Sequence, residues 1–188
     1  EVNSKFELTD IAHEKYPFLR RIRALRDIGS EVKAGDLGGF VERAENLSFK
    51  TGDDSWIFDS AIACGCAVVW GGSVLRNHAA AREDAEVCGG AVLREYSRAE
   101  GGAYVCGAQL SGRARVSFCG QALCQEESGQ VLRLSDESTV YGHVNGNVEL
   151  YGKTVVIQRE CLVNLSREAM ILRDGKPDTR RVSGIASN

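Results

Sequence analysis

The chain is predicted to be all-β: a single-stranded parallel β-helix closed at one end by a short strand-rich segment. Three observations predict it. Between Ser55 and Val105 one residue type recurs every six positions, as Ile57, Ala63, Val69, Leu75, Ala81, Val87, Leu93, Ala99 and Val105. Sorted by threes, that series gives columns Ile57/Leu75/Leu93, Ala63/Ala81/Ala99 and Val69/Val87/Val105, so the hexad nests in an 18-residue repeat. A track of small residues runs two positions ahead: Ser55, Ala61, Ala67, Ser73, Ala79, Ala85, Ala91, Ser97 and Ala103. A six-residue side used three times per turn describes a three-sided prism whose turns stack on one another.

The elements follow in order. Residues 1–52 do not follow the hexad. Lys5-Phe6-Glu7-Leu8 and Leu19-Arg20-Arg21-Ile22-Arg23-Ala24-Leu25 alternate as strands do. Gly35-Asp36-Leu37-Gly38-Gly39-Phe40-Val41-Glu42 reads as a turn entering a third strand. This segment is expected to cap the first coil, because an open solenoid end exposes unpaired backbone. Residues 53–172 form the repeat region, opened by Gly52-Asp53-Asp54-Ser55-Trp56.

Within a hexad, the aliphatic residue and the small residue two before it share one face of a strand, so both point inward. A corner follows. Its second residue runs Asp59, Gly65, Gly71, Asn77, Glu83, Gly89, Glu95, Gly101, Gly107, a series rich in residues that tolerate left-handed backbone. Near Gly107 the register slips by one, and the inward series restarts as Leu110, Val116, Ala122, Ser128, Leu134, Val140. Later inward pairs are read as Val148/Leu150, Val155/Ile157, Cys161/Val163 and Ala169/Ile171, with a short excursion over 121–130. The span 55–171 gives about six coils of 18 residues and a prism roughly 30 Å tall. Residues 173–188 read as a polar tail containing Gly175 and Pro177.

Composition narrows the function classes. A chain of 188 residues is one domain, and 21 glycines against 2 prolines fit a fold with many tight corners. A net charge of −3 supplies no global field toward nucleic acid or membrane, and no apolar run approaches the roughly 18 residues of a membrane span. The expected location is cytoplasmic. The 7 cysteines are an odd set, so a disulfide framework is not expected. Cys88 and Cys106, one coil apart, should stack on neighbouring strands. Cys64-Gly65-Cys66 lacks the second ligand pair of a zinc site, so no metal is expected.

Val32-Lys33-Ala34-Gly35-Asp36-Leu37-Gly38-Gly39-Phe40-Val41, Asn46-Leu47-Ser48 and Gly52-Asp53-Asp54-Ser55-Trp56-Ile57-Phe58-Asp59 resemble the N-terminal block of YdcK-like hexapeptide-repeat proteins of enterobacteria, phages and prophages. The hexads Ala85-Glu86-Val87-Cys88-Gly89 and Ala103-Tyr104-Val105-Cys106-Gly107 are similar to that family's repeats, and the resemblance covers nearly the whole chain. It implies a left-handed β-helix of the trimeric acyltransferase-like type; the repeat pattern itself leaves the hand open. Some members carry an acyltransferase label that follows from fold class, which does not fix function. The slot after the aliphatic residue, small or acidic in acyltransferases of this type, here holds Phe58, Cys64, Trp70, Arg76, Arg82, Cys88, Arg94, Glu100 and Cys106.

An acyltransferase of this type uses a histidine as general base toward a hydroxyl or amine that attacks acetyl-CoA or a related thioester. His13 lies outside the repeats, while His78 and His143 each follow a corner slot and are the candidates; a solvated corner histidine is the plain alternative. Outward strand residues form the columns Trp56/Val74/Val92, Ile62/Ala80/Arg98 and Val68/Glu86/Tyr104. The apolar Trp56, Val74 and Val92, with Tyr104, are candidate interface residues, either for a partner or second copy or beneath the N-terminal segment. Arg20, Arg21, Arg23 and Arg26, with Arg180 and Arg181 in the tail, are a candidate anion or partner patch, or a solvated strand face. Arg76 and Arg94 share a corner column and Arg82 precedes Glu100 by one coil; these read as surface ladders.

The reading is therefore a non-catalytic β-helix interaction or scaffold protein, binding a protein partner or itself as a homotrimer or dimer, of bacterial or phage origin. It needs no cofactor. The alternative is an acyltransferase using acetyl-CoA at a subunit boundary.

Overall fold

The computed structural model describes residues 2–125 and 129–178; Ser128, Arg180 and Arg181 lie outside them. The chain is nearly all-β, short strands joined by corners and wound as a parallel solenoid of about 7 turns, roughly 18 residues apart. Three sheets of 8, 9 and 6 strands make the faces of a prism. Face one carries outward residues Trp56, Val74, Val92, Gln109, Arg133 and Glu149 in register. Face two carries Ile62, Ala80, Arg98, Arg115, Thr139 and Val155. Face three carries Val68, Glu86, Tyr104, Gln121, His143 and Cys161. Among the described residues no helix is long and apolar enough to cross a membrane.

The N-terminal segment does more than cap. Strands β1 (Phe6–Ala12) and β2 (Arg20–Ala24) pair antiparallel, and β2 pairs antiparallel with β3 (Leu37–Val41). β3 then pairs parallel with the solenoid, Phe40 opposite Ile62, and Leu47 bridges Val69 in parallel. These residues build an irregular first turn, which is why the solenoid exceeds the six coils expected from 55–171. β3 must cross close over the next turn. A Cβ on Gly38 would lie 2.7 Å from the Ile57 carbonyl oxygen and one on Gly39 2.4 Å from that of Ala61, so only glycine fits there. Lys5 is fully buried in this cap and donates from Nζ to the Ser48 carbonyl at 2.8 Å. Burial, against the opposing pull of Asp53, brings its ammonium down to about 8.

The interior is the two tracks read from the sequence. Ile57, Leu75, Leu93, Leu110, Leu134 and Leu150 line face one from inside, and the small track is fully buried at Ala61, Ala67, Ala79, Ala91, Ser55, Ser73 and Ser97. Strands about 4.8 Å apart place identical side chains in contact from turn to turn. The seven Gly, Asn and Asp corner slots are left-handed, and so are Glu83 and Glu95, with φ from 53° at Asp59 to 69° at Gly107.

Where the slot is not glycine, the side chain serves the next turn. Asp59 accepts from the Asn77 amide and Asn77 from the Glu95 amide, both at 2.9 Å. Glu95 accepts from Gly112, Glu83 from Gly101, and Asp136 from Gly152. The acceptor satisfies an amide the strand ladder misses, which offsets part of the strain of a positive φ. Phe118 is the departure: φ is 55°, the ring is 65% exposed, and it leans on Tyr141 at 5.4 Å.

Three late register readings need correction. Val155 and Ile157 are exposed while Thr154 and Val156 are buried. Cys161 and Val163 are exposed while Leu162 packs on the core, and Met170 and Leu172 pack there instead of the Ala169/Ile171 pair. Alternation alone cannot tell the two faces of a strand apart where both carry apolar residues.

Candidate functional site

Face two is divided by what covers it. The connection between β1 and β2 folds over its first turns, where Leu19, Phe40, Ile62 and Ala80 form a small buried cluster with Tyr16 and Cys64 against it. Beyond that cover the face opens into a cleft of about 280 Å³ lined by His78, Ala80, Arg82, Tyr96, Arg98 and Arg113. Its side chains come from repeating slots. His78 and Tyr96 hold the same corner position one coil apart, so their rings stack at 5.0 Å with 8° between planes. Arg113 takes that position in the following coil, its guanidinium 5.9 Å from the Tyr96 centroid. Arg98 is the outward residue of face two, and Arg82 sits on the far corner, 5.6 Å from the Tyr16 ring.

The charge of the cleft is only partly compensated. Glu100 approaches Arg98 at 3.8 Å and Arg115 at 3.4 Å. Arg82 and Arg113 have no carboxylate within ion-pair distance among the described residues, and the Arg82 Nε is buried without a hydrogen-bond partner. The expected Arg82–Glu100 ladder is therefore not formed; Glu100 turns to the arginines of face two. Three guanidiniums, a stacked ring pair and an alanine floor make a site for a group with negative charge and a flat or apolar body. His13 borders it. Its Nδ1 accepts from the amides of Lys15 and Tyr16 at 3.1 and 3.2 Å, and burial, opposed by Glu14, lowers its imidazole from the usual range.

The other expected site residues are dispersed. His143 is exposed, but it is an outward strand residue of face three between Gln121 and Cys161, not a corner residue. The reason is a shortened corner: Tyr141 and Gly142 alone separate inward Val140 from His143, so the hexad count runs ahead of the structure. His78 and His143 thus occupy different parts of the prism.

Trp56 points outward yet is 1% exposed, because the N-terminal cap covers it and the Phe6 ring meets it edge-on at 6.2 Å. It is an internal contact. Val74 and Val92 remain half-buried on face one. Tyr104 is half-buried on face three, where pairing with Cys88 and then burial hold its phenol above its usual range. Cys88 and Cys106 stack in register, and burial pushes the Cys88 thiol up to about 12.

The basic cluster on and just after β2 is largely engaged locally. Arg20 donates to the Asp10 carbonyl, Arg23 pairs with Glu7 at 3.1 Å, and Arg26 donates to the Asp27 carbonyl. Arg21 donates to the Gly38 carbonyl and lies over the Phe40 ring at 4.4 Å. Among the described residues no group of three or more His, Cys, Asp or Glu side chains is arranged to hold a metal ion.

Sequence reasoning found His78 but missed its company. The signal was present in the third corner slot, where His78, Tyr96 and Arg113 follow one another, and in Arg98 of the outward column; reading each column for aliphatic repeats alone passed over it. No family model matches the chain, and no curated protein matches it.

Proposed function

We propose that this chain is a non-catalytic β-solenoid interaction protein that grips an acidic segment of a protein partner in the cleft of face two. One observation carries the reading: Arg82, Arg98 and Arg113 converge on one cleft with Glu100 as the nearby carboxylate. Acidic side chains on a partner would supply the missing charge, and the His78–Tyr96 stack would give their aliphatic stems a flat wall. The cleft is short and the chain carries net charge −3, which suits a few carboxylates better than a run of nucleic-acid phosphates. A cytoplasmic setting, a YdcK-like relationship, phage or prophage origin, and self-association as a dimer or trimer belong to the same proposal. No cofactor is required.

The second reading is acyl transfer, favoured by His78 standing beside those arginines. They would take the phosphates of acetyl-CoA while His78 accepts the proton of an attacking hydroxyl or amine and the thiol leaves. His143, on face three, has no place in that cleft.

Calorimetric titration with a hexaglutamate peptide and, separately, with acetyl-CoA decides between them. The proposal expects peptide binding that weakens with added salt and falls about a hundredfold in Arg98→Glu/Arg113→Glu. Acetyl-CoA binding with thioester cleavage that His78→Ala abolishes would put acyl transfer in its place. No heat with either would overturn both.

A further inference from the structure

A cavity of about 510 Å³ lies on face three near the capped end, away from the cationic cleft. Leu47, Phe49, Val68 and Trp70 make its apolar walls. Three of these walls are fixed by their neighbours. Leu47 is fixed by its parallel bridge to Val69, and Phe49 by the Phe6 ring at 6.4 Å. Trp70 is the post-aliphatic corner residue of its hexad, 40% exposed, and its indole Nε1 donates to Glu86 Oε1 at 2.8 Å. That bond fixes the indole as a flat wall and leaves Glu86 Oε2 as an open acceptor. Glu45 adds a second carboxylate, and Lys50 is the one cation on the lining.

An exposed indole face beside two carboxylates has a defined complement. A guanidinium stacks on tryptophan and forks to a carboxylate at the same time, which an ammonium cannot do. A cavity of this size, within the range of ordinary ligand sites, holds more than one side chain, so an apolar neighbour of the cation would fill the Leu47–Phe49–Val68 walls. We infer that this pocket binds an arginine side chain followed by an apolar residue on a protein partner. Its chemistry is opposite in sign to the cleft of face two, and it stands whether or not that cleft binds an acidic segment.

The two tryptophans give a direct readout, since Trp56 is buried in the cap and Trp70 borders the pocket. In a nitrogen-15-labelled sample the Trp70 indole resonance, assigned with Trp70→Phe, is followed during titration with acetyl-Arg-Leu-amide, acetyl-citrulline-Leu-amide and acetyl-Lys-Leu-amide. The arginine peptide should move it saturably, the lysine peptide more weakly, and the neutral citrulline isostere least, with the Trp56 resonance unmoved. Glu86→Gln keeps an acceptor for the indole while removing the charge, and should weaken arginine-peptide binding about tenfold. Equal binding of the arginine and citrulline peptides would overturn the inference, as would a Glu86→Gln protein that binds like the parent. The absence of any saturable shift in the correctly folded parent would overturn it as well.

Discussion

The outward strand residues from Trp56 to Glu86 each pair with one 18 positions later, whereas from Val92 onward the spacing on face one becomes 17, 24, 16 and then 22 residues. Both regions are the same solenoid, so strict repetition is not what the fold requires. What persists is the inward residue. In the regular turns face two contributes Ala63, Ala81 and Ala99 while face three contributes Val69, Val87 and Val105; in the next turn the sizes exchange, as Val116 and Ala122. In that turn the volume is kept though its order is not, as close packing demands, while the turn after it holds the larger set Leu134, Val140 and Val144. Corners are where the slipped turns differ, and there Phe118 and the shortened Tyr141–Gly142 corner stand beside the one kind of acceptor corner, Asp136, that the cap-side turns also use.

The hardest test of that contrast compares one leucine from each region. Leu93→Ala, fully buried among regular turns, should lose about 2–5 kcal/mol by urea denaturation, and Leu172→Ala, half-buried in the last turn, only about 1 kcal/mol. Equal losses would mean the regular turns are no better packed than the slipped ones.

The capped end should respond to pH. Lys5 gives up its proton near 8 in the folded chain and near 10.5 unfolded, so between those values the unfolded state binds more protons and stability rises with pH. The rise should be on the order of 1–3 kcal/mol, read from urea midpoints across that window. It should vanish in Lys5→Met.

At the corners, Gly101→Ala combines a φ of 65° with a Cβ 2.9 Å from the Phe118 backbone, and should cost about 1–3 kcal/mol. Phe118→Gly, relieving the same backbone conformation at the next turn, should gain about 0.5–1 kcal/mol by thermal melting, less whatever the Tyr141 contact supplies. A loss instead would show that the aromatic pair holds the slipped turns together.

The smallest effect separates two serines of the inner track. Ser97 donates to the Arg94 carbonyl at 2.8 Å, while the Ser138 hydroxyl is buried without a partner. Replacing Ser138 with alanine should be neutral or stabilising by up to about 1 kcal/mol, and replacing Ser97 should cost about that much. Calorimetric melting of the pair resolves the sign.

The prism, its inward columns and its left-handed corners were legible because a period of six acts on backbone geometry directly. The first turn was not, since Phe40 and Leu47 join the stack at a spacing of 22 and carry no hexad. Trp56 read equally well as an interface or a capped residue, because an outward apolar side chain looks the same whether a partner or the chain's own Phe6 covers it. His143 was misplaced by two missing corner residues. The cationic cleft was half legible: its members sit at 78, 96 and 113, but only the three-dimensional corner shows that Arg82 reaches toward them from the other side of the face.

The corner acceptors have a direction. Glu42, Asp53, Asp59, Asn77, Glu83, Glu95 and Asp136 each receive an amide from the turn that follows, and Asp174, in the last turn, reaches back to Lys153. A growing chain leaving the ribosome would therefore present, at each completed turn, carboxylates and an amide oxygen that wait for amides not yet synthesised. Each new turn would settle on an already waiting set of acceptors, and the rod would lengthen in the order of translation, until Asp174 reaches back to the turn before it.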